Sequence, residues 1–127
     1  MNYGKQRLFK VAEQALEKAY APYSNFKVSA ALLTDDRRIF TGVNVENASY
    51  GCTICAERTA CVKAVSEGAV EFKSIAIVSS KGAVSMCGIC RQFLSEFSLD
   101  MEVITGTDVE NLQSVKLREL LPDSFEL

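Results

Sequence analysis

The chain has no histidine and no tryptophan, and it has only two prolines. Without histidine there is no three-histidine metal site, no Ser-His-Asp triad and no Cys-His pair, so acid-base chemistry near neutral pH falls to a tuned carboxylate or a metal-bound water. No apolar run approaches the ~20 residues of a membrane-crossing helix, and no basic-then-apolar N-terminal stretch resembles a secretory leader. Neither sign of charge dominates: 14 basic against 16 acidic residues give a net charge of -2, and the longest basic cluster is Arg37-Arg38. That balance speaks against a polyanionic partner such as DNA or RNA. Repeats, low-complexity stretches and linkers are absent as well. The 127 residues, 48% of them hydrophobic, therefore suit a single domain, residues 1–127, with a real core.

Cysteine, by contrast, is plentiful. Five thiols is an odd number for disulfide pairing, and a reducing cytoplasm is the expected location. Cys52-Thr53-Ile54-Cys55 and Cys87-Gly88-Ile89-Cys90 form two C-x2-C pairs, a pattern compatible with a closed, four-thiolate structural zinc site. The gap between the pairs, residues 56–86, exceeds the usual ribbon spacing of about 15–20 residues, and it encloses what reads as a helix and a strand. The same cysteines can instead supply three ligands, Cys55, Cys87 and Cys90, with a fourth position left for water. That is the catalytic arrangement, and it leaves Glu57, two residues after the first ligand, as a free carboxylate beside the metal. A third possibility is that the thiols bind nothing. Cys61, about 240° around a helix from Cys55, is expected to be a small buried hydrophobe.

Hydrophobic spacing organises the rest. Leu8, Ala12, Ala15, Leu16 and Ala19 share one stripe, which predicts an amphipathic helix from residue 3 to about 20, stopped by Ala21-Pro22. Lys27–Thr34 and Arg38–Glu46 are β-rich and flank Asp35-Asp36-Arg37, which predicts an antiparallel hairpin. A polar loop, Asn47–Ile54, precedes a helix over Cys55–Glu67 that ends at Gly68. A buried strand at Ser74–Ser79, a loop over Ser80–Met86, a helix over Gly88–Phe97 and a strand at Glu102–Thr105 follow. Helix alternating with strand predicts a parallel core inside an α/β layered sheet, extended by the antiparallel hairpin. Residues 113–117 offer a last strand, and Arg118–Leu121 a helical turn before Pro122.

Both sets of thiols then fall at helix starts, which stabilise thiolates. Cys87 and Cys90, three apart, can share one face of a turn. Cys55 and Glu57, about 200° apart on a helix, can serve one site only if Cys55 sits at the very edge of its helix. Three thiolates around Zn2+ leave a formal charge of -1, which weakens the metal's pull on its water. Arg58, one turn from Cys55, and Arg91, beside Cys90, can donate to the sulfurs and withdraw that excess; solvated surface positions are the alternative for both.

Taken in order, Tyr20-Ala21-Pro22-Tyr23-Ser24-Asn25-Phe26, Asn44-Val45-Glu46-Asn47-Ala48-Ser49-Tyr50, Cys55-Ala56-Glu57-Arg58, Cys87-Gly88-Ile89-Cys90-Arg91-Gln92, Leu120-Leu121-Pro122 and Phe125 closely resemble the small, homotetrameric type of cytidine deaminase. The resemblance spans nearly the whole chain. It implies a three-layer α/β fold: a mixed five-stranded sheet with an N-terminal helix and helices on both faces. It implies that Cys55, Cys87 and Cys90 bind zinc and that Glu57 shuttles protons from the attacking water to the ring nitrogen and to the departing ammonia. Cytidine and deoxycytidine would give uridine and deoxyuridine. Phe26 resembles the family's base-stacking aromatic, the backbone of Ala56 its reader of the base carbonyl, and Asn44 with Glu46 its clamp on the sugar 3'-hydroxyl. Ser85 would offer its carbonyl near the departing amine. Phe125 resembles the C-terminal aromatic that lines a neighbouring subunit's site; packing on its own domain is the alternative. A carboxylate at position 46 would repel a phosphate there, which favours a free nucleoside over a polynucleotide. Met86 stands where the family usually has proline, which restores an amide N–H and frees a φ angle. Cys52 is an extra thiol in this picture.

Two other functions fit parts of the pattern: a four-cysteine zinc scaffold that only binds, and a related deaminase acting on a modified cytosine nucleoside. The scaffold has no use for a sugar clamp such as Asn44 and Glu46, and a deaminase for a substrate lacking an ordinary ribose would not need one.

Overall fold

The hydrophobic stripes and alternations resolve into three layers. The computed structural model describes residues 2–127, with side chains from Gly4 onward. Its elements are α1 (Asn2–Ala15), β1 (Val28–Thr34), β2 (Ile39–Val43), α2 (Ala56–Ser66), β3 (Phe72–Ser79), α3 (Gly88–Ser95), β4 (Glu102–Gly106), β5 (Leu112–Lys116) and a single turn, α4 (Leu117–Leu120). The five strands form one sheet in the order β2-β1-β3-β4-β5. Only β3 and β4 run parallel; the other neighbours are antiparallel. The mixed α/β sheet agrees with expectation, and its parallel part is this one pair.

Successive strand residues face opposite sides, and each face has its own core. Ala31, Ala76, Val78 and Ile104 pack under Leu8, Phe9 and Ala12 of α1. Leu32, Ile75, Ile77 and Val103 pack under Ala56, Ala60, Cys61 and Ala64 of α2 and under Cys90 and Leu94 of α3. Cys61 is fully buried, as expected, and burial pushes its thiol up to about 11. The α1 layer is also tied polar-to-polar: the buried Ser29 hydroxyl donates to the Ala12 carbonyl at 2.5 Å.

Several boundaries differ from the sequence expectation. The first helix ends at Ala15 and tightens into a 3-10 turn, Leu16–Lys18, instead of running to about residue 20. The second strand stops at Val43, and α3 stops at Ser95. Over residues 44–46, the expected end of that strand, Val45 makes isolated bridges with Tyr20 and with Ile54 instead. The expected polar loop contains a further 3-10 turn, Tyr50–Cys52.

One close approach seats α2, the helix that begins just after Cys55. A Cβ added at Gly42 would lie 2.3 Å from the Ala60 backbone nitrogen and 2.5 Å from the Ala56 carbonyl oxygen. Those are backbone atoms, so α2 itself would have to retreat. Gly42→Ala is therefore expected to destabilise the fold by about 1–3 kcal/mol, as overpacking does, and to lower the melting temperature by roughly 5–10 °C. Thermal unfolding checks this; a variant melting with the parent would contradict the close seating.

Candidate active site

Both cysteine-bearing helices are capped by cysteine itself. Cys55 is the N-cap of α2 and Cys87 the N-cap of α3, each with extended backbone angles and neither spending its side chain on a capping bond. Their sulfurs are thus free to turn toward each other at the positive ends of two helices. Cys90, one turn into α3, is fully buried. The three sulfurs lie within 4.8 Å of one another, and the Cys55 and Cys87 sulfurs are 3.6 Å apart. Four ligands at a Zn–S length of about 2.3 Å in a tetrahedron would be separated by about 3.8 Å. The donor set fits zinc, and three sulfurs leave one vertex open.

Cys52 does not join them. It is exposed at the end of the Tyr50–Cys52 turn and outside the three-sulfur group. Cys52→Ser is accordingly expected to leave zinc content and melting temperature within error of the parent, a comparison that metal analysis and calorimetry make directly. Loss of one zinc per chain in that variant would revive the four-thiolate scaffold.

Protons in this cluster are unevenly held. The Cys55 thiol is pulled down to about 5, chiefly by a hydrogen bond from Cys90 and further by Arg58 and Cys87, against the effect of its burial. The Cys90 thiol is pushed up, chiefly as the donor to Cys55 and then by burial. Zinc takes thiolates, so its binding would displace the protons these thiols keep.

Cys55 lies outside the helix, which meets the geometric condition for Glu57 to share its site. Glu57, in the first turn of α2, is 4% exposed. Burial pushes its carboxyl up to about 7, and the negative charge of Cys55 adds to the effect. A carboxyl poised there can both accept and return a proton at neutral pH. Ala56, the first helical residue, is fully buried, and an amide in a helix's first turn has no intrahelical acceptor.

The two arginines behave differently. Arg58 donates from Nη2 to the Cys55 sulfur at 3.6 Å, and its buried Nε has no partner among the described residues. The expected bond from Arg91 to a sulfur is not formed. Arg91 donates instead from Nε to the Met86 carbonyl at 2.8 Å and from Nη1 to the Leu120 carbonyl at 2.9 Å. One residue beyond Cys90 on α3, its side chain leaves about 100° away from the ligand. It secures the loop entering Cys87, in which Met86 is buried, and joins that loop to α4.

Asn44 and Glu46 both reach back to the segment before β1. The Asn44 amide accepts from Val28 N at 2.9 Å and donates to the Phe26 carbonyl at 2.8 Å. Glu46 accepts from the backbone amides of Tyr23 and Ser24 at 2.9 and 3.1 Å, and from the Ser24 hydroxyl. These bonds, Ser24's first, hold its carboxylate below the usual range. Glu46 lines a hollow of ≈ 270 Å³ with Tyr23, Ser24, Asn47, Tyr50 and Thr53. Phe26 is half-buried against the α2–α3 core. Ser85 is exposed in the loop before Cys87. Phe125 is 69% exposed, its backbone held by Gln92. Residue spacing carries no sign of that last contact, because its partners are 33 positions apart.

Three thiols gathered at two helix N-termini, beside a buried acid on a three-layer α/β scaffold, define a zinc enzyme. Residues 3–107 match the family model for the cytidine and deoxycytidylate deaminase zinc-binding region. The chain is 48% identical to a cytidine deaminase of Halalkalibacterium halodurans, over 95% of this chain and 93% of that protein. The fold matches the crystal structure of cytidine deaminase from Burkholderia pseudomallei with a TM-score of 0.88 at 46% identity, covering 94% of this chain and 97% of that one. It also matches the Mycobacterium tuberculosis enzyme with a TM-score of 0.85 at 39% identity, covering 95% and 96%. The chain belongs to the cytidine deaminase family.

Proposed function

We propose that this chain hydrolyses cytidine and deoxycytidine to uridine and deoxyuridine, releasing ammonia, a reaction of pyrimidine salvage. The observation that carries this is the buried Glu57 carboxyl beside three sulfurs within 4.8 Å of one another. Relatives named cytidine deaminase over most of both chains support the substrate class. Cys55, Cys87 and Cys90 would hold the zinc. When bound, zinc would supply a Lewis acid that makes a water acidic enough to attack near neutral pH.

The chain's own residues do the rest. Glu57 takes one proton from the attacking water and gives it to the ring nitrogen N3 while the water oxygen bonds to C4. It then carries the second water proton to the amino group, the C4–N bond breaks, and ammonia leaves as the C4 carbonyl forms. Arg58 withdraws charge from the Cys55 sulfur. The Ala56 amide, in the first helical turn, would donate to the base's carbonyl, and Phe26 would stack on its face. Asn44 and Glu46 would take the sugar 3'-hydroxyl, and the Ser85 carbonyl would accept from the departing amine.

A homotetramer with shared sites fits the surface. Phe125, Ile89 and Phe93 on the α3 side and Val62 and Val65 on α2 are exposed apolar groups, and such groups need a cover when they are contiguous. Phe125 would complete a neighbour's site. The five free thiols fit a reducing cytoplasm, and the chain reads as a single domain, residues 1–127. Among the described residues no helix is long and apolar enough to cross a membrane.

The test is product analysis. Cytidine should become uridine, and cytidine 3'-monophosphate should react at least about tenfold more slowly because Glu46 meets the phosphate. Equal turnover of both would remove Glu46 from the sugar clamp, and no uridine at all would remove the function.

A further inference from the structure

Residues 121–127 belong to no helix or strand, yet one of them is held at two points. The Gln92 side-chain amide accepts from the Phe125 backbone N–H at 3.2 Å and donates to the Phe125 carbonyl at 2.9 Å. This pairs a side chain with a backbone as one strand residue pairs with its neighbour. It requires a donor and an acceptor on one planar group, which an amide supplies and a carboxylate or an amine does not. The Phe125 ring takes no part; it is 69% exposed, so the tail is not anchored by burying it. Gln92 lies two residues after Cys90, and its neighbour Arg91 joins the Met86 and Leu120 carbonyls. The helix that Cys87 caps and that carries Cys90 thus also sets the path of the tail.

We propose that Gln92 is a positioning residue that locks the backbone at Phe125 and so aims its ring away from its own domain toward a second subunit. The consequence for catalysis rests on the reading that Phe125 completes a neighbour's nucleoside site. Gln92 then acts on substrate binding and not on chemistry, although it neighbours a metal ligand.

The test uses the full-length, zinc-loaded protein with Gln92→Ala, Gln92→Glu, Phe125→Ala and the Gln92→Ala/Phe125→Ala pair. Amide hydrogen exchange reads the clamp itself. Gln92→Ala is expected to abolish protection of the Phe125 amide; Gln92→Glu, which keeps the acceptor, should retain part of it. On cytidine, Gln92→Ala should raise KM about five- to tenfold, the lower end of what two neutral hydrogen bonds are worth. Its kcat should stay within about twofold and its zinc content should not change. Phe125→Ala should raise KM similarly, and the double variant should be no worse than the poorer single. Unchanged Phe125 exchange in Gln92→Ala overturns the clamp, as does a kcat loss with unchanged KM. If Phe125→Ala leaves KM unaltered, the neighbour-site reading fails, while the exchange data still decide the clamp separately.

Discussion

Glu57→Gln is expected to keep its zinc, fold and subunit assembly while losing at least about 10⁴-fold in kcat. The amide preserves the size and hydrogen-bonding reach of the side chain but cannot exchange a proton. General acid-base catalysis at one step is commonly worth about 10²- to 10⁴-fold, and Glu57 is assigned more than one transfer. Burial supports the assignment: at 4% exposure the carboxyl is pushed up to about 7, between proton acceptor and donor. Stability should move the other way. A buried carboxyl that keeps its proton in the fold up to about 7 takes up protons on folding between its ordinary value of 4.5 and that point. Its contribution to the metal-free protein therefore weakens as pH rises through that window, and glutamine removes that slope. Stopped assays on purified variant and parent, with metal analysis alongside, check the first part. A variant within about tenfold of the parent, a gap of ~1.4 kcal/mol, would end the role given to Glu57.

Cys90→Ser is expected to lose zinc and, with it, activity to background, a fall of more than about 10⁴-fold. Bound zinc brings the pKa of a water down to about 7, and nothing else among the assigned residues replaces that effect. Cys90 is also fully buried in the α2–α3 core, so its loss has a structural cost. Losing an ion held at about 1,000 times its Kd removes ~4 kcal/mol, and the melting temperature should drop on the order of 10 °C. A variant that binds no zinc but melts with the parent would show that the metal contributes nothing to the fold.

Much of this architecture was legible from one dimension because local spacing carries it. The cysteines at positions 55, 87 and 90 stand where two helices begin, and the apolar run at Ser74–Ser79, expected as a buried strand, lies within β3. The requirement that Cys55 sit at a helix edge follows from 100° per residue, and the N-cap position meets it. Contacts between distant segments were not readable. Arg91 looked like a partner for the Cys90 sulfur because it adjoins it in sequence. Adjacency on a helix turns a side chain away, and its acceptors, Met86 and Leu120, come from a loop and a terminal turn. The resemblance implied a sugar-binding role for Asn44 but gave no sign that its amide also closes the start of β1 through Phe26 and Val28. The Gln92 clamp depends on where the tail returns, which no periodicity encodes.

The most direct measurement follows ammonia after cytidine is added to the purified protein in three states: as isolated, after chelation with zinc removed, and after zinc is returned. One ammonia per uridine in the first state, none above background in the second and recovery in the third is the predicted result. Undiminished ammonia release from protein shown to hold no metal would contradict the account, as would zinc-loaded, folded protein that releases none.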